Sequence, residues 1–335
     1  MKHTARWVAA TASALLIASG LGAAPAQAAP SERAQHQRVV DFWTTDKVAK
    51  AVPRDFVRDA KTGKFTQAKG RPGGGTTTTG TTGADWTGGG LVQETTGKVL
   101  FAMGGSYYVC SASVAKDANT GTSSILTAAH CVYDETAGGF SSNWMFVPDY
   151  DSAPVNLTTS GSFCSQTVYG CWTATALTVH RGYASAGGFN DQATLHDYAF
   201  ATVGAGGKGM TQLDATVGAQ DIAFTAGTAG ATTDLFGYPS SKPYKGTALI
   251  YSEGGLGYDA RNGNQTYAVA SKMTQGCSGG PWFQNFSKAT GTGTMMSVNS
   301  YSYSGSSSMH GPKLDAKTQS LFTASQGATA NRIVG

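Results

Sequence analysis

The stretch "TQGCSGGPW", Thr274 to Trp282, sets an adjacent cysteine and serine in a run of glycines ahead of a proline. Glycine reaches backbone conformations closed to other residues, and a tight turn built from it can aim two N–H groups at one developing negative charge. Cys277 or Ser278 would then be a nucleophile, and either needs a base and a group to orient that base. Two other stretches supply them. "LTAAHC", Leu126 to Cys131, places His130 at the end of an apolar run, and "HDYAFATV", His196 to Val203, places Asp197 just ahead of another. Taken singly, His130 reads as a satisfied structural histidine and Asp197 as a turn former. Taken with the glycine motif, they give a base, an acid and a nucleophile in that chain order.

Around these motifs the texture is that of short strands and many turns. Charged residues make up 13% of the chain and 45 residues are glycine, whereas soluble domains usually carry about 25% charge. Apolar runs recur between Gly, Ser, Asn and Asp clusters. One set comprises "KVLFAM" from Lys98, "YYVCSASV" from Tyr107, "SILTA" from Ser124, "WMFV" from Trp144, "TALTV" from Thr175 and "YAFATV" from Tyr198. After "VGAGGKGM" a second set runs "DIAFTA" from Asp221, "TDLFGY" from Thr233, "ALIYS" from Ala248, "TYAVAS" from Thr266, "GPWF" from Gly280 and "TMMSVNSY" from Thr294. Such runs bounded by turn signals predict strands. The halves span about 95–205 and 210–312, and they predict two packed barrels or sandwiches with a cleft between them. One helix is expected in this body, over about 313–325, where Leu314, Leu321 and Phe322 form an apolar stripe.

The chain begins with a basic end (Lys2, Arg6), an apolar core from Trp7 to Ile17 and the small-residue signature Ala26-Gln27-Ala28. That is the pattern of a secretory signal over 1–28, cut after Ala28, and no later apolar run is long enough to anchor the chain. Export, an extracellular setting and disulfides are therefore expected. Residues 29–83 read as a separate leader, with the Gly/Thr tract "GRPGGGTTTTGTTGADWTGGG" as a flexible linker. A removable pro-segment is the expected role, and a tethering extension is the alternative. Charge separates leader from body. Residues 29–72 hold ten Lys/Arg and five Asp/Glu, and the signal adds two basic residues; subtracting these from totals of 24 and 20 leaves 12 basic and 15 acidic residues, a net −3, in residues 73–335. A mildly acidic body without a basic cluster excludes a nucleic-acid footprint.

Five cysteines in an exported chain leave one over. Cys110 and Cys131 lie on or beside two candidate strands, while Cys164 and Cys171 bracket "SQTVYG"; pairing them so leaves Cys277, although other connectivities stay open to the sequence. No paired Cys or His stands at zinc-ligand spacing, so no metal or cofactor is expected.

"TAAHC", an acidic residue leading an apolar strand, and "GxSGGP", in the order His, Asp, Ser, resemble the chymotrypsin-like (trypsin-fold) serine peptidases, over residues from about 95 to 325. The chain also resembles exported trypsin-like peptidases of actinobacteria, which share a pro-segment, a Gly/Thr linker and "GGPW". The order matters, because subtilisin-like enzymes and α/β hydrolases arrange the same triad differently. The resemblance implies an all-β fold: two six-stranded antiparallel Greek-key β-barrels, the active-site cleft between them and a short C-terminal helix. It also implies a monomer acting on protein or peptide substrates, with Ser278 as nucleophile, His130 as base, Asp197 as its orienting acid and the amides of Gly276 and Ser278 as oxyanion hole. Cys110–Cys131 matches the family disulfide beside the histidine, and "VNSYS" falls where the family lays the substrate backbone as an added strand, with Ser300 and Ser302 as contacts.

Two positions depart from the family pattern. Cys277 stands where trypsin has the aspartate that pairs with a newly cut N-terminus, so that switch is absent and an inhibitory leader would act by occlusion or by assisting folding. Lys272 stands where trypsin has its basic-selecting aspartate, so cleavage after Lys or Arg is not expected. Met273, Thr274, Gln275, Asn299 and Ser302 are the candidate pocket lining, with Lys272 either turned inward or, as expected of a lysine, solvated. The rival classes are a cysteine peptidase using Cys277 and a non-catalytic binding protein on the same fold.

Overall fold

The computed structural model describes residues 1–2, 31–68, 82–158 and 162–335. The chain divides into Met1–Ser31 and Glu32–Gly335. The expected signal peptide, the centre of the Gly/Thr linker and residues 159–161 lie outside the described residues. No helix among the described residues is long and apolar enough to cross a membrane.

The leader carries regular structure ahead of the Gly/Thr tract. It forms helices α1 (Glu32–Phe42) and α2 (Thr45–Lys50), then strands β1 (Val52–Pro53), β2 (Phe56–Arg58) and β3 (Phe65–Gln67). Its few apolar side chains are spent on the body. Val39 and Trp43 are buried, and the Trp43 indole donates to the Asn143 carbonyl at 2.7 Å. A Trp or Val buried this way contributes about 2 kcal/mol or more.

The body follows with β4 (Thr82–Asp85), α3 (Leu91–Thr95), β5 (Thr96–Met103), β6 (Ser106–Ala115), β7 (Ser123–Thr127), the small hairpin β8 (Tyr133–Asp134) and β9 (Gly139–Phe140), and β10 (Ser142–Pro148). Next come α4 (Phe163–Gln166), β11 (Trp172–His180), α5 (Arg181–Ala184), α6 (Asp191–Leu195) and β12 (Ala199–Val203). Strands β6, β5, β10, β11, β12 and β7 pair antiparallel in that order, and β7 returns to β6, closing a six-stranded barrel. All six match the sequence-predicted runs. Their β-branched and aromatic residues fill the barrel, with Val99, Phe101, Phe146 and Phe200 fully buried. A disulfide joins Cys110 to Cys131 across 21 positions and another joins Cys164 to Cys171. On the chain-entropy model the first contributes about 3 kcal/mol.

The second half holds α7 (Leu213–Val217), β13 (Asp221–Ile222), β14 (Thr232–Gly237), β15 (Ile250–Gly255), β16 (Gly257–Tyr258), β17 (Tyr267–Ala270), β18 (Pro281–Ser287), β19 (Thr292–Val298), β20 (Tyr301–Tyr303) and β21 (Ser308–Gly311). One sheet runs β13-β19-β18-β14-β15-β4 and the other β16-β17-β21-β20-β2-β3. An apolar cluster including Leu235, Ile250, Val269, Trp282 and Met309 fills this half. The run from Thr294 is two strands, because the chain turns at Asn299–Ser300 to reach the site.

The C-terminal helix α8 (Ala316–Ser325) is capped by Asp315, whose side chain accepts from the Lys317 and Thr318 amides. Leu314, Leu321 and Phe322 are buried as the stripe predicts, Phe322 against Phe200 at 4.9 Å. Strand β22 (Arg332–Val334) then pairs with β11. The expectation of a single body helix is too sparse: α3 to α7 are helices of four or five residues, too short to show a periodic stripe.

Lys98 on β5 is buried without a carboxylate partner among the described residues, its ammonium 4.3 Å from the Tyr150 ring centre. Burial pulls its pKa down to about 8 from 10.5. Folding therefore disfavours the protonated form, so the cost is full below about pH 8 and fades as pH rises toward 10.5. After the cation–π contact is allowed for, Lys98→Met should stabilise the protein by about 2 kcal/mol at pH 7. It should also remove the rise in stability between pH 8 and 10, measured by denaturant unfolding at both pH values.

Candidate active site

His130 sits in a one-turn helix that ends β7, and Asp197 sits just ahead of β12, the neighbour of β7 in the barrel. That pairing brings the two together from 67 positions apart. The Asp197 carboxylate accepts from the His130 backbone N–H at 2.9 Å, and its other oxygen meets His130 Nδ1 at 2.8 Å. Ser300, arriving from the second half, donates its hydroxyl to the same carboxylate at 2.5 Å. All three residues are buried. Fixed on Nδ1 by Asp197, the imidazole presents Nε2 toward the cleft, the tautomer a general base needs.

Gly276, Cys277 and Ser278 form a turn before β18. Gly276 has φ +104° and Gly279 φ +81°, both in the region that favours glycine. A methyl on Gly279 would meet Thr127 Oγ1 at 2.1 Å and the Ser111 carbonyl at 2.4 Å. Ser111, on β6, clasps the turn: its N–H donates to the Ser278 carbonyl at 2.7 Å and its hydroxyl to the Gly276 carbonyl at 3.0 Å. Cys277 is free, fully buried and packed against Gly237. Burial pushes its thiol well above the ordinary cysteine range, the opposite of what an attacking thiolate needs.

The groups around Ser278 are engaged by a residue that sequence reasoning did not single out. Asp55, between β1 and β2 of the leader, is buried in the cleft. Its carboxylate accepts from the Ser278 hydroxyl at 2.7 Å through one oxygen and from the Gly276 N–H at 2.8 Å through the other, and the nearby Ser278 amide also favours its charged form. Burial pushes the Asp55 carboxyl above the ordinary carboxylate range, and the His130 ring and these hydrogen bonds hold the rise back. His130 Nε2 is left without a hydrogen-bond partner. "AVPRDFVRD" carries no pattern that separates Asp55 from any other leader acid; only its burial marks it.

Of the predicted contacts, Ser300 bonds Asp197, and Ser302 lies on β20 with its backbone paired to Val57. Gln275, Met273, Thr274, Ser300, Tyr301, Ser302 and Met309 line a small cavity completed by Asp55 and Phe56. Two predicted pocket residues are elsewhere. Asn299 is fully buried behind the turn, where its amide donates to the Phe236 and Cys277 carbonyls at 2.8 and 3.0 Å and accepts from Trp282 at 2.7 Å. Lys272 is exposed, its backbone N–H bonded to the Thr82 carbonyl at 2.7 Å. Among the described residues the one tight group of potential metal ligands is Cys110, His130 and Cys131, and its two sulfurs are spent in a disulfide.

No protein-family model matches the chain, and no curated protein matches it in sequence. Solved structures do. The protease Anisep from Arthrobacter nicotinovorans is 32% identical over 70% of this chain and 96% of its own, with a TM-score of 0.57. A thermostable serine protease, AL20, from an extremophilic microorganism is 31% identical over 71% of this chain and 100% of its own, with a TM-score of 0.58. The chain belongs to the chymotrypsin-fold serine proteases.

Gly279→Ala tests the turn. With an overlap this close and a positive φ, it should destabilise the protein by about 2–4 kcal/mol, seen as a fall in unfolding midpoint.

Proposed function

We propose that the protein is an exported serine endopeptidase made as an inactive precursor, with Ser278, His130 and Asp197 as its catalytic triad. The observation that carries this reading is the buried Asp197–His130 pair, 2.8 Å apart, facing a serine whose flanking amides converge on one carboxylate. A carboxylate held there is a stand-in for the negative oxygen of a tetrahedral intermediate.

On this reading, leader removal frees the Ser278 hydroxyl to turn to His130 Nε2. Its oxygen attacks the scissile carbonyl carbon while His130 takes the proton, and the carbonyl oxygen becomes an oxyanion held by the Gly276 and Ser278 amides. Collapse breaks the C–N bond, His130 gives its proton to the departing amine, and Ser278 is left acylated. Water, deprotonated by His130, repeats the attack, releasing the acid and restoring the serine. Asp197 keeps the ring oriented through Nδ1 and stabilises the imidazolium. Ser300 and Ser302 offer the substrate an edge at β20, and Met273, Thr274 and Gln275 with Met309 line the side-chain pocket. Once the leader's Asp55 has gone, that lining carries no charged side chain, so a preference for uncharged residues follows. The processed enzyme works as a monomer outside the cell.

In the processed protein, Ser278→Ala should lower peptide hydrolysis by about 10⁴-fold or more, while Cys277→Ser should keep it within about tenfold, since a buried thiol with a raised pKa does no chemistry. Cleavage-site profiling on a random peptide library reads both. The reverse pattern would assign the chemistry to Cys277. No hydrolysis and no fluorophosphonate labelling of the processed wild type would favour a binding protein.

A further inference from the structure

The leader crosses the cleft in contact with both halves. Val52 and Pro53 pair with Tyr108 and Val109 of β6, and Phe56, Val57 and Arg58 pair with Tyr301, Ser302 and Tyr303 of β20; both pairings are parallel. A substrate cannot run that way. The leaving amine must take its proton from His130, so the leaving half lies toward β6, whose Cys110 is bonded to Cys131 beside that histidine. The acyl half lies along β20 and approaches Ser278 as it runs toward its C-terminus, hence antiparallel to β20. Leader residues 56 to 58 recede from Ser278 along the same edge.

The chemistry at the centre agrees with this polarity. The group in the hole is a side-chain carboxylate, a poor electrophile whose attack would put two negative charges on one centre and offers no amine to leave. The Asp55 peptide carbonyl is turned away and accepts from the Ala68 N–H at 2.8 Å. On either side the segment is bolted down. Arg54 donates to the His130 carbonyl at 2.7 Å and to the buried Glu135 at 3.0 Å, while Arg58 pairs with Asp191 at 2.8 Å and donates to the Tyr303 hydroxyl at 3.1 Å. Phe56 stacks on Phe189 at 3.9 Å with its ring edge-on to His130 at 5.6 Å.

We infer that residues 52–58 are a reverse-threaded inhibitor anchored by Asp55, which occupies the anion-binding amides and takes the Ser278 hydroxyl away from His130. The inference rests on the assignment of Ser278 and His130 as nucleophile and base. Its consequence is that the precursor does not cut itself within 52–58, so removal must begin with a cut elsewhere in the chain. The mode defines a class of partner for the cleft: an extended peptide with an acidic residue flanked by arginine and an aromatic, bound parallel to β20.

The test uses the full chain as wild type, Asp55→Ala, Asp55→Asn and, as a control on the exposed leader surface, Lys61→Ala. Two readouts are taken: the rate at which a small fluorophosphonate labels Ser278, and amide hydrogen exchange of residues 52–58. Loss of a charge-assisted anchor should speed both by about tenfold or more in the Asp55 variants and leave Lys61→Ala at the wild-type rates. Asp55→Asn keeps the volume if the alanine variant folds poorly. Exchange that quickens while no form labels would uphold the anchor and remove the catalytic reading. Exchange and labelling unchanged in both Asp55 variants would overturn the inference. So would a cut within 52–58 of the wild type that is independent of protein concentration and lost in Ser278→Ala.

Discussion

The Asp197 carboxylate is the constraint around which the two halves are arranged. A buried charge of this kind is tolerable only with its oxygens satisfied. Here the donors come from both sides: the His130 backbone and ring from the first barrel, the Ser300 hydroxyl from the second half. Because Ser300 immediately precedes β20, the bond that completes Asp197 also sets the position of the strand on which β2 of the leader lies. Ser111 does the corresponding work for the glycine turn. It reaches out of the first barrel to the carbonyls of Gly276 and Ser278, and its hydroxyl accepts from the Tyr238 N–H at 2.9 Å. The Asp197–His130 pair and the turn that carries Ser278 are thus each held by hydrogen bonds that link the first barrel to the second half.

The strands and the central residues were legible in the sequence for local reasons. Each strand of the first barrel is a short apolar run bounded by turn formers, and His130, Asp197 and the glycine motif stand at the ends of such runs, where a barrel brings its strand ends together. The positions of Asn299 and Lys272 were not legible. Asn299 was placed by its neighbours in "VNSYS", but it sits where the chain turns between β19 and β20, and its side chain is buried against Trp282 and two carbonyls that its amide bonds. Lys272 differs from a pocket residue only by the direction of one side chain, which no local pattern encodes.

The leader's contacts with the body were not legible for a more general reason. Composition bears on whether a segment can fold on its own; it says little about a segment folded on another surface. The excess of basic residues in the leader over the acidic body did carry the information. Two of those bases, Arg54 and Arg58, meet Glu135 and Asp191 of the body. Asp55, the single acid between them, goes where the body offers amide donors in place of a base.

On the proposed reading, Cys277 gains a consequence beyond the loss of a trypsin-like switch. In a chain lacking the aspartate that a new terminus would engage, latency cannot rest on a misfolded oxyanion hole, and the Gly276 and Ser278 amides already converge on the Asp55 carboxylate in the precursor. Latency is then competition for a finished site. A tethered strap competes at an effective concentration of about millimolar, and a cut in its tether ends that advantage without breaking one contact in the cleft. The freed leader would still fit, so full activity requires that it be diluted or destroyed. Reverse threading delays its destruction by the molecule it blocks and leaves the task to neighbouring molecules that are already free.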